Sequence, residues 1–476
     1  VYADAGEGES TTDLVFTGHN MIAENGALLA ERRFATGLTV SEVDVERLDY
    51  ERRRLTTFRS NADSRVITVP FALEPCTTTL PRHVNPLPFV PEDGAECSEH
   101  CDEIILLAAL GLKKRMEHSG AQAAVVGLSG GLDSSLISAI ADANFAAQGK
   151  QLQTFSVGYR DNKKYFHATK FQPGADAPYI RKMNEFLHAR HHWITLDTPE
   201  LVPALYAAVD ARDLPGMADV DASLLLFCRQ IKPHATVALS GECADEIFGG
   251  YPWYRDPEVR EKYGFPWAQS TAYRASFLKP GVLGSIDPAA FVDARYRQTL
   301  AEASVRPGLS AEEQRMRQMM NLNFKWFMQT LLDRKDRMSM YSGLEVRVPF
   351  CDYRIAEYLY SVPWEYKDYR NQEKGLLREA MRGVLPDEVL WRRKSPYPKT
   401  WNPSYLAAVS AELRGVLADP AAPILRIIKA DALENLLASG ADNPIPWYGQ
   451  LMTTPQTIAW FLQLNYWLAK YKVELV

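Results

Sequence analysis

The chain has 476 residues, 46% of them hydrophobic and 24% charged, with a net charge of −6. That length allows two or three domains with several large cores, and the composition is ordinary for a globular protein in water. The mild acidic balance gives no electrostatic reason to expect nucleic acid or an anionic membrane as a partner, and six cysteines over this length do not make a disulfide framework.

Residues 1–60 read as β structure followed by a helix. Asn25-Gly26 sits between two apolar runs, and both central positions of a type I′ turn need positive φ, so a hairpin is expected there. VSEVDVERLDYERRR then turns amphipathic and charged. Residues 61–95 are rich in Pro and Thr and read as a linker. The next stretch, SEHCDEIILLAALGLKKRMEHSG, has Ser98 as an N-cap, acids in its first turn, and Lys113, Lys114 and Arg115 before Gly120. Every end signal there agrees with a helix dipole. Cys97, His100 and Cys101 have no second Cys/His pair downstream, so this helix start outweighs a metal site. The longest apolar run, Ile104 to Leu112, is too short to span a bilayer, and no signal peptide is visible. A cytoplasmic protein is expected. The chain begins at Val1 rather than Met, which points to a fragment or a processed product.

AAVVGL is a short continuous apolar run of the kind found in buried parallel strands. A glycine turn follows, then a helix from about Ser134 to Gln148. LQTFSVGY, HHWITLD and ATVALSGE read as further strands, with helical stretches between most of them. The alternation implies an α/β fold with a doubly wound parallel sheet over 96–293. Residues 294–476 read as mostly helical.

The turn Ser129-Gly130-Gly131-Leu132-Asp133-Ser134-Ser135 joins the first of these strands to its helix. Two glycines let backbone approach a ligand closely, and a helix start offers free N–H groups and the positive end of a dipole to phosphate. The serines add hydroxyl donors, and Asp133 could hold a Mg²⁺ bridging phosphate oxygens. The GK[ST] ending of a Walker A loop and the GxGxxG of a dinucleotide fold are both missing.

SGGLDSS resembles the pyrophosphate loop of the N-type ATP pyrophosphatases, an adenine nucleotide alpha-hydrolase-like fold. Its members cleave ATP between the α and β phosphates and adenylylate a carboxylate. Upstream, VYADAGEGESTTDLVFTGHNMIAENGALLAERRF resembles the end of the nitrilase-type glutaminase domain of glutamine-dependent NAD synthetases. PFVPEDGAECSEHCDEIILLAALGLKKRMEHSG is similar to that family's lead into its synthetase domain. The glutaminase triad would precede Val1, and none of Cys76, Cys97 and Cys101 lies in a nucleophile context. Downstream, VDARDLPGMADVDASLLLFCRQIK, LSGECADEIFGGYPWY and LDRKDRMSMYSGLEVRVPFCDYR resemble the synthetase domain of the asparagine synthetase B family. This second likeness covers about three quarters of the chain. The sequence reads as a fusion whose seam lies near SGGLDSS, with an incomplete nitrilase-like β fragment at its start.

The resemblance implies an asparagine synthetase: ATP and aspartate give β-aspartyl-AMP, and ammonia then gives asparagine, AMP and pyrophosphate. It places Leu128, Ser129, Gly130, Gly131, Asp133, Ser134, Ser135, Val157, Ser240 and Gly241 at ATP. Glu242 would handle ammonia, Lys374 would steady the α-phosphorus, and Asp133 and Asp245 would hold Mg²⁺. Glu246 is balanced between a site role and a favourable acid in a first turn. Arg378 shares a helix face with Lys374. Arg337, Arg347 and Asp213 are assigned to aspartate and phosphate. Many asparagine synthetases have Gly-Ser where this chain has Cys243-Ala244. Nitrogen would come from ammonia, or from glutamine through a glutaminase domain not present here. A homodimer is left open. The alternatives are an NAD synthetase acting on deamido-NAD and a nucleotide-binding fusion without turnover.

Overall fold

Asn25 and Gly26 sit at φ 45° and 86°. Both positive angles are those a tight two-residue turn demands, and they join β1 (Asn20–Glu24) to β2 (Ala27–Arg32) in an antiparallel hairpin. The chain here is a computed structural model that describes residues 1–6, 17–34, 37–54, 69–70, 72, 124–168, 172, 174–284, 286–305, 307–441, 445–447 and 452–474. They belong to two units, Val1–Pro88 and Phe89–Val476. In the first unit the charged helix α1 (Val45–Arg54) buries none of its residues. Nearly all of the expected 61–95 linker, the expected helix after Ser98, and the Cys97, His100 and Cys101 group lie outside the described residues.

The second unit is built on five parallel strands: β3 (Ala124–Gly127), β4 (Gln153–Tyr159), β5 (Arg190–Leu196), β6 (Val237–Leu239) and β7 (Glu345–Arg347). Their order in the sheet is β5-β4-β3-β6-β7. Helices connect them: α2 (Leu132–Ala147), α3 (Ala177–Phe186), α4 (Thr198–Arg212) and α5 (Asp219–Ile231), then the short α6 (Ala244–Phe248) after β6. Both faces of the sheet are covered, so β3 is apolar throughout rather than alternating. Val126 packs with Leu132 and Leu136 of α2 on one side. Val125 packs with Leu224, Leu225 and Phe227 of α5 on the other.

Beyond residue 294 the described residues are mostly helical, as the sequence implied. α7 (Ala311–Leu322) continues through a π-helical turn, Asn323–Met328, into α8 (Gln329–Tyr341), and β7 then inserts at the edge of the sheet. A three-residue strand is fixed by its pairing with β6, not by its own propensity. α9 (Gly375–Ala380) follows, and later α10 (Pro403–Ala418) and α11 (Thr454–Lys470), which pack on α4. Thr453 caps α11 in a capping box with Gln456. No helix among the described residues is long and apolar enough to cross a membrane.

Candidate active site

Chain order runs outward from β3 to β5 on one side and resumes at β6 on the other, so the winding direction switches between β3 and β6. Ligands of open α/β sheets bind beyond the strand C-termini at such a point. The loops leaving β3 and β6 meet there closely. A Cβ on Gly241 would lie 2.9 Å from the Asp133 Cβ and 3.1 Å from the Ser134 nitrogen, so only glycine fits. Gly130, at φ 69°, is pressed against α3, where a Cβ would meet the Ile180 nitrogen at 2.8 Å.

A cavity of about 350 Å³ opens at this switch point, within the range typical of small-ligand sites. Leu128, Ser129, Gly131, Asp133, Ser134, Val157, Ser240, Gly241, Glu242, Asp245, Glu246, Lys374 and Arg378 all line it. Gly130 and Ser135, from the same turn, are not among its lining residues. Inside the loop the Ser129 and Ser134 hydroxyls lie 2.9 Å apart, and the Ser134 hydroxyl accepts from the Ser129 N–H at 3.2 Å. These bonds hold the turn open toward the cavity.

Four charges cluster at its floor. Lys374, 3% exposed, donates to both Asp133 oxygens at 2.7 and 2.6 Å and lies 2.6 Å from Asp245 Oδ1. Lys394 pairs with the other Asp245 oxygen. Burial pushes the Asp245 carboxyl up, but the Lys374 and Lys394 ammonium groups outweigh it and hold the carboxyl down at about 2. In Asp133 burial wins and the carboxyl is raised. Gly250 makes room for this cluster, since a Cβ there would lie 2.2 Å from Lys374 Cε.

Glu242 stands apart from that cluster. Lys335 Nζ lies 2.8 Å from its Oε1, and the Ser240 hydroxyl donates to its other oxygen. Burial would raise its pKa, yet Lys335 and Ser240 hold it at about 2. Glu246 goes the other way. Burial, and then the Asp245 charge, push it up to about 7, and the Tyr251 hydroxyl donates to it at 2.6 Å. The sequence left Glu246 undecided; the fold puts it in the cavity wall.

Arg378 is a brace. It donates to the Glu373 carbonyl at 2.6 Å, the Glu373 carboxylate at 2.8 Å and the Arg392 carbonyl at 2.9 Å. It thereby ties α9 to the strap 391–398. Within the strap Arg392 donates to the Ser129 carbonyl at 3.2 Å and stacks on Tyr179 at 4.2 Å.

Asp213, Arg337 and Arg347 do not line the cavity. Asp213 ends α4 in a left-handed turn with its side chain 67% exposed, 3.9 Å from Arg337. Arg337 also pairs with Asp333 one helical turn back at 3.5 Å. Helical spacing explains this: Leu331, Arg334 and Lys335 share the face of α8 that meets the cavity, and residues 333 and 337 share another. Arg347 donates to Glu345 at 2.8 Å, and its carbonyl accepts from the Ser240 N–H at 3.0 Å, so it supports the site through its backbone. Arg334, Lys335, Arg392 and Lys394 are among the cavity groups that the sequence reading missed. For Arg334 and Lys335 the available signal was their helical offset from Leu331.

Fold and site together define an α/β protein with a parallel sheet and a charged cavity at its switch point. The asparagine synthase family matches residues 112–469. The chain belongs to that family. It is 47% identical over 350 residues to asparagine synthetase [glutamine-hydrolyzing] 3 of Bacillus subtilis, covering 73% of this chain and 57% of that protein. Its identity to asparagine synthetase [glutamine-hydrolyzing] 1 of the same organism is 28% over 301 residues, covering 57% of this chain and 45% of that one. A glutamine-dependent NAD(+) synthetase of Mycobacterium bovis is 45% identical over 145 residues, 28% of this chain and 21% of that one. The chain therefore spans little more than half the length of the first relative and less of the others.

Proposed function

We propose that the chain catalyses ATP-dependent amidation of aspartate. The carboxylate attacks the α-phosphorus, pyrophosphate leaves, and ammonia displaces AMP from β-aspartyl-AMP to give asparagine. The observation that carries this reading is the convergence of Asp133, Asp245, Lys374 and Glu242, drawn from three distant segments, on one cavity at the switch point.

Leu128 and Val157 offer apolar surface to the adenine and ribose. The turn from Ser129 to Ser135 and the start of α2 offer N–H and hydroxyl donors to the phosphates. Lys374, buried and aimed between the two loops, stabilises charge that develops as pyrophosphate departs. Two buried carboxylates sharing one ammonium make a hard-oxygen donor pair suited to Mg²⁺. Asp133 and Asp245 would hold that ion, which supplies neutralisation of phosphate charge. Glu242 is ionised across the working pH range, so it attracts ammonium and accepts its hydrogen bonds. Its low pKa favours positioning the nitrogen over storing its proton. The free thiols Cys228, Cys243 and Cys351 fit a reducing cytoplasm.

The test offers ATP, Mg²⁺ and ammonium with either aspartate or deamido-NAD and follows pyrophosphate release. Release is expected with aspartate alone. Turnover of deamido-NAD instead would transfer the chain to the activity named for its NAD synthetase relatives. Glutamine replaces ammonium in a parallel arm, and glutamate release there would identify glutamine as a nitrogen donor.

A further inference from the structure

Cys243 lies between Glu242 and Asp245 on the loop after β6, at φ 78° and ψ −18°. That left-handed conformation is free for glycine but strained for a residue that carries a side chain. A cysteine is held there nonetheless, buried in the apolar cluster against which Cys351 packs. Cys351 closes a short 3-10 turn, Pro349–Cys351, just after β7. The two segments are packed side by side. Phe248 and Phe350 meet edge to face at 6.4 Å within the same apolar cluster that contains Cys243. Cys243 is buried and Cys351 is partly exposed, so the pair has one member within reach of solvent and one directly behind it.

We propose that Cys243 and Cys351 form a dithiol site that a peroxide oxidises to a disulfide, which disables the adjoining loop. The Cys351 sulfur attacks hydrogen peroxide: an S–O bond forms, the O–O bond breaks, and the departing hydroxide leaves as water. The Cys243 sulfur then attacks the sulfenic sulfur of Cys351. The S–S bond forms, the S–O bond breaks and a second water leaves. Two thiols are oxidised and one peroxide is reduced to two waters. Cys351 is the more exposed of the two thiols, so it is the partner that meets peroxide first. An S–S bond holds its sulfurs at about 2 Å, closer than any non-bonded contact, so its formation draws the loop after β6 toward the turn after β7. Glu242 and Asp245 travel with that loop. Displacements near 1 Å can cost a catalytic site about 10²-fold.

The experiment treats the purified chain with hydrogen peroxide and reads the result in two ways. Mass spectrometry is expected to show a loss equal to two hydrogens and a peptide linking Cys243 to Cys351. Pyrophosphate release with aspartate, ATP, Mg²⁺ and ammonium is expected to fall at least tenfold and to recover with dithiothreitol. C351A is expected to keep the basal rate and lose both responses. Absence of the linked peptide, a linked chain whose rate stays within twofold, or equal inhibition of C351A would each overturn the proposal. An untreated chain that releases no pyrophosphate would count against the aspartate reading. In that case weakened binding of ATP after oxidation, measured by calorimetry together with the linkage, decides the dithiol proposal, and unchanged binding overturns it.

Discussion

Lys374 Nζ meets both oxygens of Asp133, at 2.7 and 2.6 Å, across 241 residues of chain. The same ammonium lies 2.6 Å from Asp245. One buried cation thus compensates two buried carboxylates from different loops, and removing one member of such a set leaves charge uncompensated in a low-dielectric interior.

K374M is accordingly expected to lower pyrophosphate release by about 10²–10³ and to destabilise the fold by about 3–5 kcal/mol. K374R should not rescue the rate. Its stem passes where a Gly250 side chain would otherwise be, with no room for a planar guanidinium. Thermal unfolding and the pyrophosphate assay check both claims, and a K374R rate near wild type would refute the second.

Glu242 and Lys335 make a separable pair. E242Q is expected to lose about 10²–10⁴ in rate with ATP binding retained. K335M removes the charge that most lowers the Glu242 carboxyl while its burial stays, so the carboxyl rises from about 2 toward and beyond its ordinary 4.5. The acid limb of the pH–rate profile should then move to higher pH. A profile that does not move would show that Lys335 does not act through Glu242.

Lys367 is 2% exposed and donates to the Met320 sulfur at 3.2 Å. Burial lowers its pKa to about 7 from 10.5. Between those values the unfolded chain binds the extra proton, so the contribution of this group to stability rises with pH over that window and is least favourable below pH 7. K367M should stabilise the protein at pH 7, by up to a few kcal/mol on the order-of-magnitude scale for such a shift, and flatten that rise. Unfolding midpoints at pH 7 and pH 9 measure the difference. A variant less stable than wild type at pH 7 would be inconsistent with a costly buried amine.

Gly241 marks the closest approach of the two phosphate-side loops. G241A puts a methyl carbon 2.9 Å from the Asp133 Cβ, and the loops must part. The expected cost is about 1–3 kcal/mol of stability, with ATP binding by calorimetry weakened in parallel. Unchanged affinity would mean that the contact carries no nucleotide geometry.

Local patterns made much of this site legible. The strand, turn and helix around SGGLDSS lie within one stretch of chain, so apolar run, glycines and helix end announce themselves together. β7 was hidden because three residues, Glu345 to Arg347, owe their strand to β6. The strap residues Arg392 and Lys394 were hidden because a basic run reads as solvated, and only the tertiary fold supplies Asp176 and Asp245 to bury it against. Asp213 and Arg337 lie outside the cavity lining for a geometric reason: short motifs in helical segments carry residues of opposite faces side by side. Lys374 was found only through resemblance, since a lysine near a helix start carries no local sign of burial.

The order of strands in the sheet also has a consequence for synthesis. β3 is made before β4, which pairs with it on one side and carries β5 beyond, and its other side waits for Val237–Leu239. During that interval an apolar strand edge at Ala124–Gly127 stands open on the growing chain. Parallel pairings over such separations form slowly, and open strand edges recruit other chains. Refolding yield should therefore fall with protein concentration, and the ribosome, which keeps nascent chains apart, should be a better place for this sheet to close than a concentrated refolding mixture.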